Sequence, residues 1–217
     1  MRKILQSIYK IKIFKRIIPS LIKIYAKIVK ENRVKIKYKN IFLYLNLLNP
    51  IDREIFLKGN YEKKNRLNIL LKIWKKKINF FIDIGANMGF YSMIMSEITR
   101  KVFSFEPIKK NFEQLVKNRN LNNFLNIKTF NFALSNLEQE VEMWVPDKNK
   151  TGGYSIYDTY DEEIRNYDNK KINKIQSKTY IGDNIIKLKN EKIALKMDVE
   201  RHEDKVLEGF NNLLKSN

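Results

Sequence analysis

Residues 80–92, FFIDIGANMGFYS, place an acid, Asp83, two positions before Gly85, with Asn87 and Gly89 following at alternate positions. A glycine turn that opens a helix points free backbone N–H groups outward and has no Cβ to block approach, so it attracts anionic or polar ligands. The dinucleotide fingerprint G-x-G-x-x-G needs glycines where this chain has Asn87 and Phe90. Its last glycine lets the helix pack close to the strand, and Phe90 stands at that point. An acid beside the loop would repel a pyrophosphate but suits a sulfonium ligand with an amino-acid tail. Glu106 ends the next apolar run, twenty-one residues after Gly85. An acid there can accept both hydroxyls of an adenosine ribose, at the carboxyl ends of the strands where α/β ligands bind. Near the end of the chain, IALKMDVERH sets Asp198, Glu200 and His202 at alternate positions after a third such run.

These residues need a parallel sheet to bring them together. INFFIDI, KVFSFE, NIKTFNFAL and IALKMDV read as strands, and YSMIMSEITR and KKNFEQLVKNRNLNN as the first two crossover helices. Strand–helix–strand–helix–strand with short links predicts an α/β fold with right-handed crossovers. Residues 140–181 interrupt that rhythm. EVEMWV and KINKIQSKTYI read as strands around a glycine-centred loop with Tyr154, Tyr157 and Tyr160, an excursion to the ligand-facing edge of the sheet. The tyrosines fit a stacking platform or a small local core. The final helix shows Val206, Leu207, Phe210, Leu213 and Leu214 on its apolar face.

Upstream, VKIKYKNIFLYL (34–45) reads as a lead-in strand ending at Asn49-Pro50, and a helix is expected around Tyr61–Lys77. The first thirty residues are basic and apolar at helical spacing. Pro19 should end one helix, and Ser20 could cap a second running to about Lys30. This segment fits a basic amphipathic helix on an anionic membrane, and equally a helix packed on its own domain or a partner. No apolar run approaches membrane-span length and no small-residue cleavage site follows, which argues against a secretory signal.

The chain has 217 residues, no cysteine and one histidine. Disulfide frameworks, Cys/His zinc sites and cysteine nucleophiles are excluded, and a reducing cytoplasm is compatible. The formal charge of +19 permits a polyanionic partner. Lysine also recurs in nearly every segment, so the charge does not itself point to nucleic acid.

FIDIGANMGFYS, VFSFEPIKKNFEQLVKNRNLNN, FALS and IALKMDVERHEDKVLEGF, with DREIFLKGNYE ahead of them, together resemble the FkbM family of S-adenosylmethionine-dependent methyltransferases. The resemblance covers roughly residues 50–214. It implies a Rossmann-like class I methyltransferase sheet, mostly parallel with helices on both faces. The expected domain is 49–217, short at its C-terminus, behind a basic helical and strand lead-in over 1–48. By position, Asp83, Gly85, Asn87 and Gly89 would line the methionine and ribose part of S-adenosyl-L-methionine, and Glu106 would hold the ribose hydroxyls. Asn131, Phe132 and Ala133 would lie near the adenine. Asp198 and Glu200 would sit beside the reacting methyl, and Asp198, Glu200 or His202 would take the acceptor's proton. No metal is expected. The implied activity is O-methylation of a sugar, glycan or small natural product, in the cytoplasm or peripherally at the inner face of the membrane. The alternatives are a nucleic-acid methyltransferase and a catalytically silent binding module. Where the family usually follows Asp-x-Glu with a glycine and a small residue, this chain has Arg201 and His202, a pair expected to narrow the mouth. Strand 193–199 is expected at a sheet edge.

Overall fold

A computed structural model describes residues 2–29, 32–58, 77–145, 156 and 173–217. The chain divides into two compact units, Met1–Ile73 and Trp74–Asn217. The helix expected around 61–77 lies outside the described residues except at its last position. So do Tyr154, Tyr157 and Tyr160.

In the first unit, α1 spans Arg2–Tyr9 and α2 spans Phe14–Ile28. The break expected at Pro19 falls instead at residues 10–13, and Pro19 lies inside α2. A proline there removes one backbone bond without ending the helix. Ser20 does not cap: its hydroxyl donates back to the Arg16 carbonyl at 3.5 Å. The single strand expected over 34–45 is an antiparallel hairpin, β1 (Arg33–Tyr38) against β2 (Ile41–Asn46), with Tyr38 opposite Ile41. Its two-residue turn places Lys39 at φ 52, a conformation usually given to glycine or asparagine. Asn49-Pro50 then starts α3 (Pro50–Lys58), with proline at its first position and Asn49 Oδ1 accepting from Ile51 N at 3.0 Å. Buried Asp52 ties helix to hairpin, accepting from Asn46 N at 2.6 Å and Asn49 Nδ2 at 3.0 Å.

The second unit is built on a parallel sheet. β3 (Phe80–Ile84), β4 (Lys101–Phe105), β5 (Ile127–Phe130) and β9 (Ile193–Met197) stand in the order β5-β4-β3-β9. In register, Phe81 lies beside Val102 on one side and Ala194 on the other. α4 (Phe90–Ser96) connects β3 to β4, and α5 (Lys109–Leu121) connects β4 to β5. Strand alternation sends Phe80, Ile82 and Ile84 into one core with Phe103, Phe105, Val206, Phe210 and Leu213. Asp83 points the opposite way, toward Ser92 of α4.

The stretch read as one strand over 126–134 is two. After β5 the chain turns at Asn131-Phe132, where Asn131 Nδ2 donates to the carbonyls of Glu106 (2.9 Å) and Pro107 (3.1 Å). β6 (Ala133–Ser135) then enters a second sheet, ordered β6-β8-β7. β8 (Asn173–Ile181) runs parallel to β6 and antiparallel to β7 (Gln139–Val145). A short α6 (Gly182–Ile185) follows β8. The expected final helix breaks at Phe210 into α7 (Glu203–Gly209) and α8 (Asn211–Lys215). Among the described residues β9 has one neighbour, β3, and so forms the sheet edge. No helix among them is long and apolar enough to cross a membrane.

Candidate functional site

After β3 the chain folds back over the end of β4. Gly85 N and Ala86 N both donate to Phe105 O, at 3.0 and 2.9 Å. Gly85, Asn87 and Gly89 take φ values of 72, 53 and 84, all left-handed. That is the physical content of the alternate spacing, because glycine and asparagine tolerate this region best. A Cβ on Gly85 would lie 3.0 Å from the Asp198 carbonyl carbon and closer still to its oxygen. The end of β9 therefore runs directly against the loop, which brings the first and last sequence motifs together.

Glu106, just past β4, is buried and bridges the loop to the start of α5. Its Oε2 accepts from Asn87 N at 2.7 Å; its Oε1 accepts from Ile108 N at 2.9 Å and Asn111 Nδ2 at 3.3 Å. Burial pushes this carboxyl up from 4.5 to about 7. The three hydrogen bonds and the positive charge of Lys196 oppose that rise.

One cleft of about 660 Å³, open to solvent, gathers most of the predicted site residues. Gly85, Asn87, Glu106, Phe132, Ala133, Asp198, Glu200 and His202 all line it, together with Ile108, Met143 and other apolar side chains. Asp83, Gly89 and Asn131 are not in the lining. Gly89 starts α4, and Asn131 braces the carbonyls behind Glu106. Asp83 is fully buried: Oδ2 accepts from Ser92 Oγ at 2.6 Å, and Oδ1 pairs with Lys196 Nζ at 3.3 Å.

Lys196 was not singled out from the sequence, although a lysine inside the apolar strand IALKM is itself a signal. Its ammonium also donates to Gly85 O at 2.9 Å and lies 3.8 Å from Asp198 Oδ2. One cation thus neutralises Asp83 and fastens the loop to β9. Lys196→Met should destabilise the fold by about 3 kcal/mol, because it strands a buried carboxylate. Adding Asp83→Asn should recover at least half of that loss in chemical denaturation. Strictly additive losses would mean that the pair is not coupled.

Asp198 and Glu200 are exposed at the cleft mouth, whereas His202 is buried at the start of α7. Its Nε2 lies 3.0 Å from Ser135 Oγ. Burial pushes the imidazole below 6.5, against the charges of Asp204 and Glu203, which favours its neutral form. α7 can sit on β6 because Gly209 leaves room: a Cβ there would be 3.0 Å from the Ser135 carbonyl carbon and nearer its oxygen. Glu200 and Arg201 hold left-handed φ values of 49 and 73. Arg201 thus occupies a glycine conformation, at a cost of about 1–2 kcal/mol. Of the pair expected to narrow the mouth, His202 lines the cleft; Arg201 is exposed and does not.

The charged residues in the lining are Glu106, Asp198 and Glu200, with no lysine or arginine among the described lining residues. In a chain of net charge +19 this is a local inversion of sign. Among the described residues, no group of three or more acidic or histidine side chains is arranged to hold a metal.

The family model for the methyltransferase FkbM domain matches residues 83–217, more than half of the chain. No curated protein matches. Among solved structures, a methyltransferase FkbM from Methylobacillus flagellatus KT is 14% identical, with a TM-score of 0.41. The match covers 74% of this chain and 38% of that one. TYW2 of M. jannaschii, solved in complex with AdoMet, is 13% identical with a TM-score of 0.34, covering 46% and 43%. SMU.1697c of Streptococcus mutans, solved in complex with SAH, is 14% identical with a TM-score of 0.30, covering 33% and 42%. The chain therefore spans about two fifths of the length of these three structures.

Proposed function

The chain belongs to the methyltransferase FkbM domain family, and on that premise we propose that its cleft binds S-adenosylmethionine and directs methyl transfer to a hydroxyl of a sugar or other small molecule. The observation that carries this reading is that every charged side chain among the described lining residues is acidic, in a strongly basic chain. A sulfonium cation is stabilised there, and the pyrophosphate of a dinucleotide or the phosphates of a nucleic acid would be repelled.

The lining fits the cofactor part by part. Phe132, Ile108 and Met143 offer apolar surface for an adenine. Glu106 offers an acceptor for a ribose hydroxyl at Oε2, which has a lone pair beyond the one used by Asn87. Oε1 already accepts from Ile108 and, at the longer 3.3 Å, from Asn111, the bond a second hydroxyl would displace. Asp198 and Glu200 set negative charge at the mouth. The parallel sheet, with its loop at the carboxyl end of β3, supports the Rossmann-like class I form of the fold.

When bound, the cofactor supplies an electrophilic methyl group for in-line displacement. The chain's residues then have three tasks. The loop, pinned by Lys196, fixes position, which is where most of the rate advantage of such a transfer arises. The apolar wall excludes water. His202, neutral and held beside Ser135, is the group best placed to accept the acceptor's proton, with Asp198 and Glu200 nearer solvent. The direct test offers labelled S-adenosylmethionine with small polyols, glycans and RNA. Label should pass to the hydroxylated small molecules or glycans. Label passing only to RNA would replace this reading with nucleic-acid methylation.

Glu106 also gives the site a pH signature of two opposite signs. In the free protein its pKa is raised from 4.5 to about 7. The stability it contributes is therefore present in full below pH 4.5 and lost as pH rises through 7, about 3 kcal/mol in all. Binding runs the other way, because ribose hydroxyls are best accepted by the ionised carboxylate. Affinity for S-adenosylmethionine should rise about tenfold from roughly pH 6 to pH 8. Calorimetry in buffers of differing ionisation enthalpy should show proton release at the lower pH. Affinity that is flat over this range would remove Glu106 from the binding site.

A further inference from the structure

The first unit carries an exposed surface that methyl transfer does not use. On α2, the side chains of Phe14, Ile17, Leu21, Ile24, Tyr25 and Ile28 are all exposed, Ile28 to 74%. At 3.6 residues per turn these six fall within one arc of about 100°. A separate stripe, Ile18, Ile22 and Ala26, is the one buried in the unit. α2 thus presents more apolar surface than its own packing consumes, and a contiguous apolar patch of this kind marks an interaction site.

The surrounding charge identifies the partner. Residues 1–30 hold nine lysines and arginines and no aspartate or glutamate. Lys15, Arg16, Lys23 and Lys27 lie on α2 itself, all exposed. A second copy of this face would bring two sets of like charges together, which opposes self-association. A nucleic acid would answer the lysines but leave the apolar stripe in water. A surface that is apolar in depth and anionic at its boundary satisfies both, and long lysine stems can reach headgroups while the stripe is immersed.

We propose that α2 docks this protein on an anionic lipid bilayer, lying in the interface rather than crossing it. The full chain should float with vesicles of phosphatidylcholine mixed with phosphatidylglycerol and not with phosphatidylcholine alone. Raised salt should weaken binding. Each exposed large apolar residue replaced by serine should weaken binding about tenfold. The triple change Ile17→Ser, Leu21→Ser, Ile24→Ser should therefore abolish flotation, with the circular dichroism and melting of the chain retained. Replacing Lys15, Arg16, Lys23 and Lys27 by glutamine should cost roughly fivefold per charge and remove the preference for anionic lipid. The chain has no cysteine, so Leu21→Cys carrying an environment-sensitive fluorophore gives a unique label. Its emission should shift to the blue on adding anionic vesicles and stay unchanged on adding RNA. The proposal fails if the folded chain ignores anionic vesicles, if the serine triple still floats, or if Leu21→Ser instead dissolves a concentration-dependent dimer. None of these readouts depends on cofactor binding.

Discussion

Gly85→Ala is expected to lower the stability of the protein by about 3–5 kcal/mol and to remove cofactor binding with it. Two costs add at this position. The backbone sits at φ +72, which an alanine occupies at about 1 kcal/mol or more. The new Cβ also meets the carbonyl of Asp198, part of the backbone rather than a side chain that can rotate away. Relief requires moving the end of β9 from β3, and β9 has no other strand partner among the described residues. The contacts around Gly85 would loosen together: its N–H to Phe105 O, its carbonyl to Lys196, and the neighbouring bond from Asp198 N to Ile84 O at 3.0 Å. Gly89→Ala is the control. Its φ is also positive, at 84, but its Cβ would meet the side-chain atoms Leu115 Cγ at 3.0 Å and Met93 Cε at 3.1 Å, which can shift. Gly89→Ala should cost about 1–2 kcal/mol. Denaturant titration of the two variants decides the matter: equal losses would show that the approach of β9 to the loop is not the constraint described.

The second large effect separates binding from folding. Glu106→Gln removes a buried charge whose ionisation costs the free protein about 3 kcal/mol at pH 8. It also turns one acceptor oxygen into an amide donor, so Asn87 N or Ile108 N loses its partner at about 1–3 kcal/mol. These terms nearly cancel, and the variant should melt close to the parent at pH 8. Cofactor affinity should fall roughly ten- to a hundredfold. A ribose hydroxyl loses its charged acceptor at Oε2, a bond worth about 1.5–3 kcal/mol. The pH dependence of binding should vanish with the charge. A Glu106→Gln protein that binds S-adenosylmethionine as the parent does would mean that the carboxylate serves only to join the loop to α5.

The parallel sheet was legible because its strands are short apolar runs bounded by glycine, proline and acidic residues, and because the crossover helices keep their own period. What stayed hidden has physical causes. The hairpin turn at Lys39-Asn40 uses a lysine in a glycine conformation, so Asn40 is its one turn-type residue and there is no glycine to mark it. NIKTFNFAL reads as one strand because apolar residues continue through it. The turn there is made by Asn131 bonding to carbonyls brought from elsewhere in the chain. Pro19 reads as a break in the sequence, but its neighbours keep helical spacing on both sides and the helix absorbs one lost bond.

The site was legible in its motifs and less so in their division of labour. Asp83 and Glu106 look alike in sequence, each an acid closing a strand. Alternation sends Asp83 toward Ser92 and Lys196, away from the cleft, whereas Glu106 stands one residue past its strand and lines it. The resemblance to a known family marks both positions and does not distinguish a residue that faces the ligand from one that braces the loop. Nor could the pairing of His202 with Ser135 be read beforehand, since it depends on Gly209 letting a helix rest on a strand from the second sheet.

The central claim is that an acidic cleft behind a glycine loop holds S-adenosylmethionine. Calorimetric titration of the full chain near pH 8 tests it most directly. The expected result is saturable binding of one ligand per chain, competed by S-adenosylhomocysteine and indifferent to NAD. A folded protein that shows no binding at millimolar S-adenosylmethionine, or that binds NAD in preference, would contradict it.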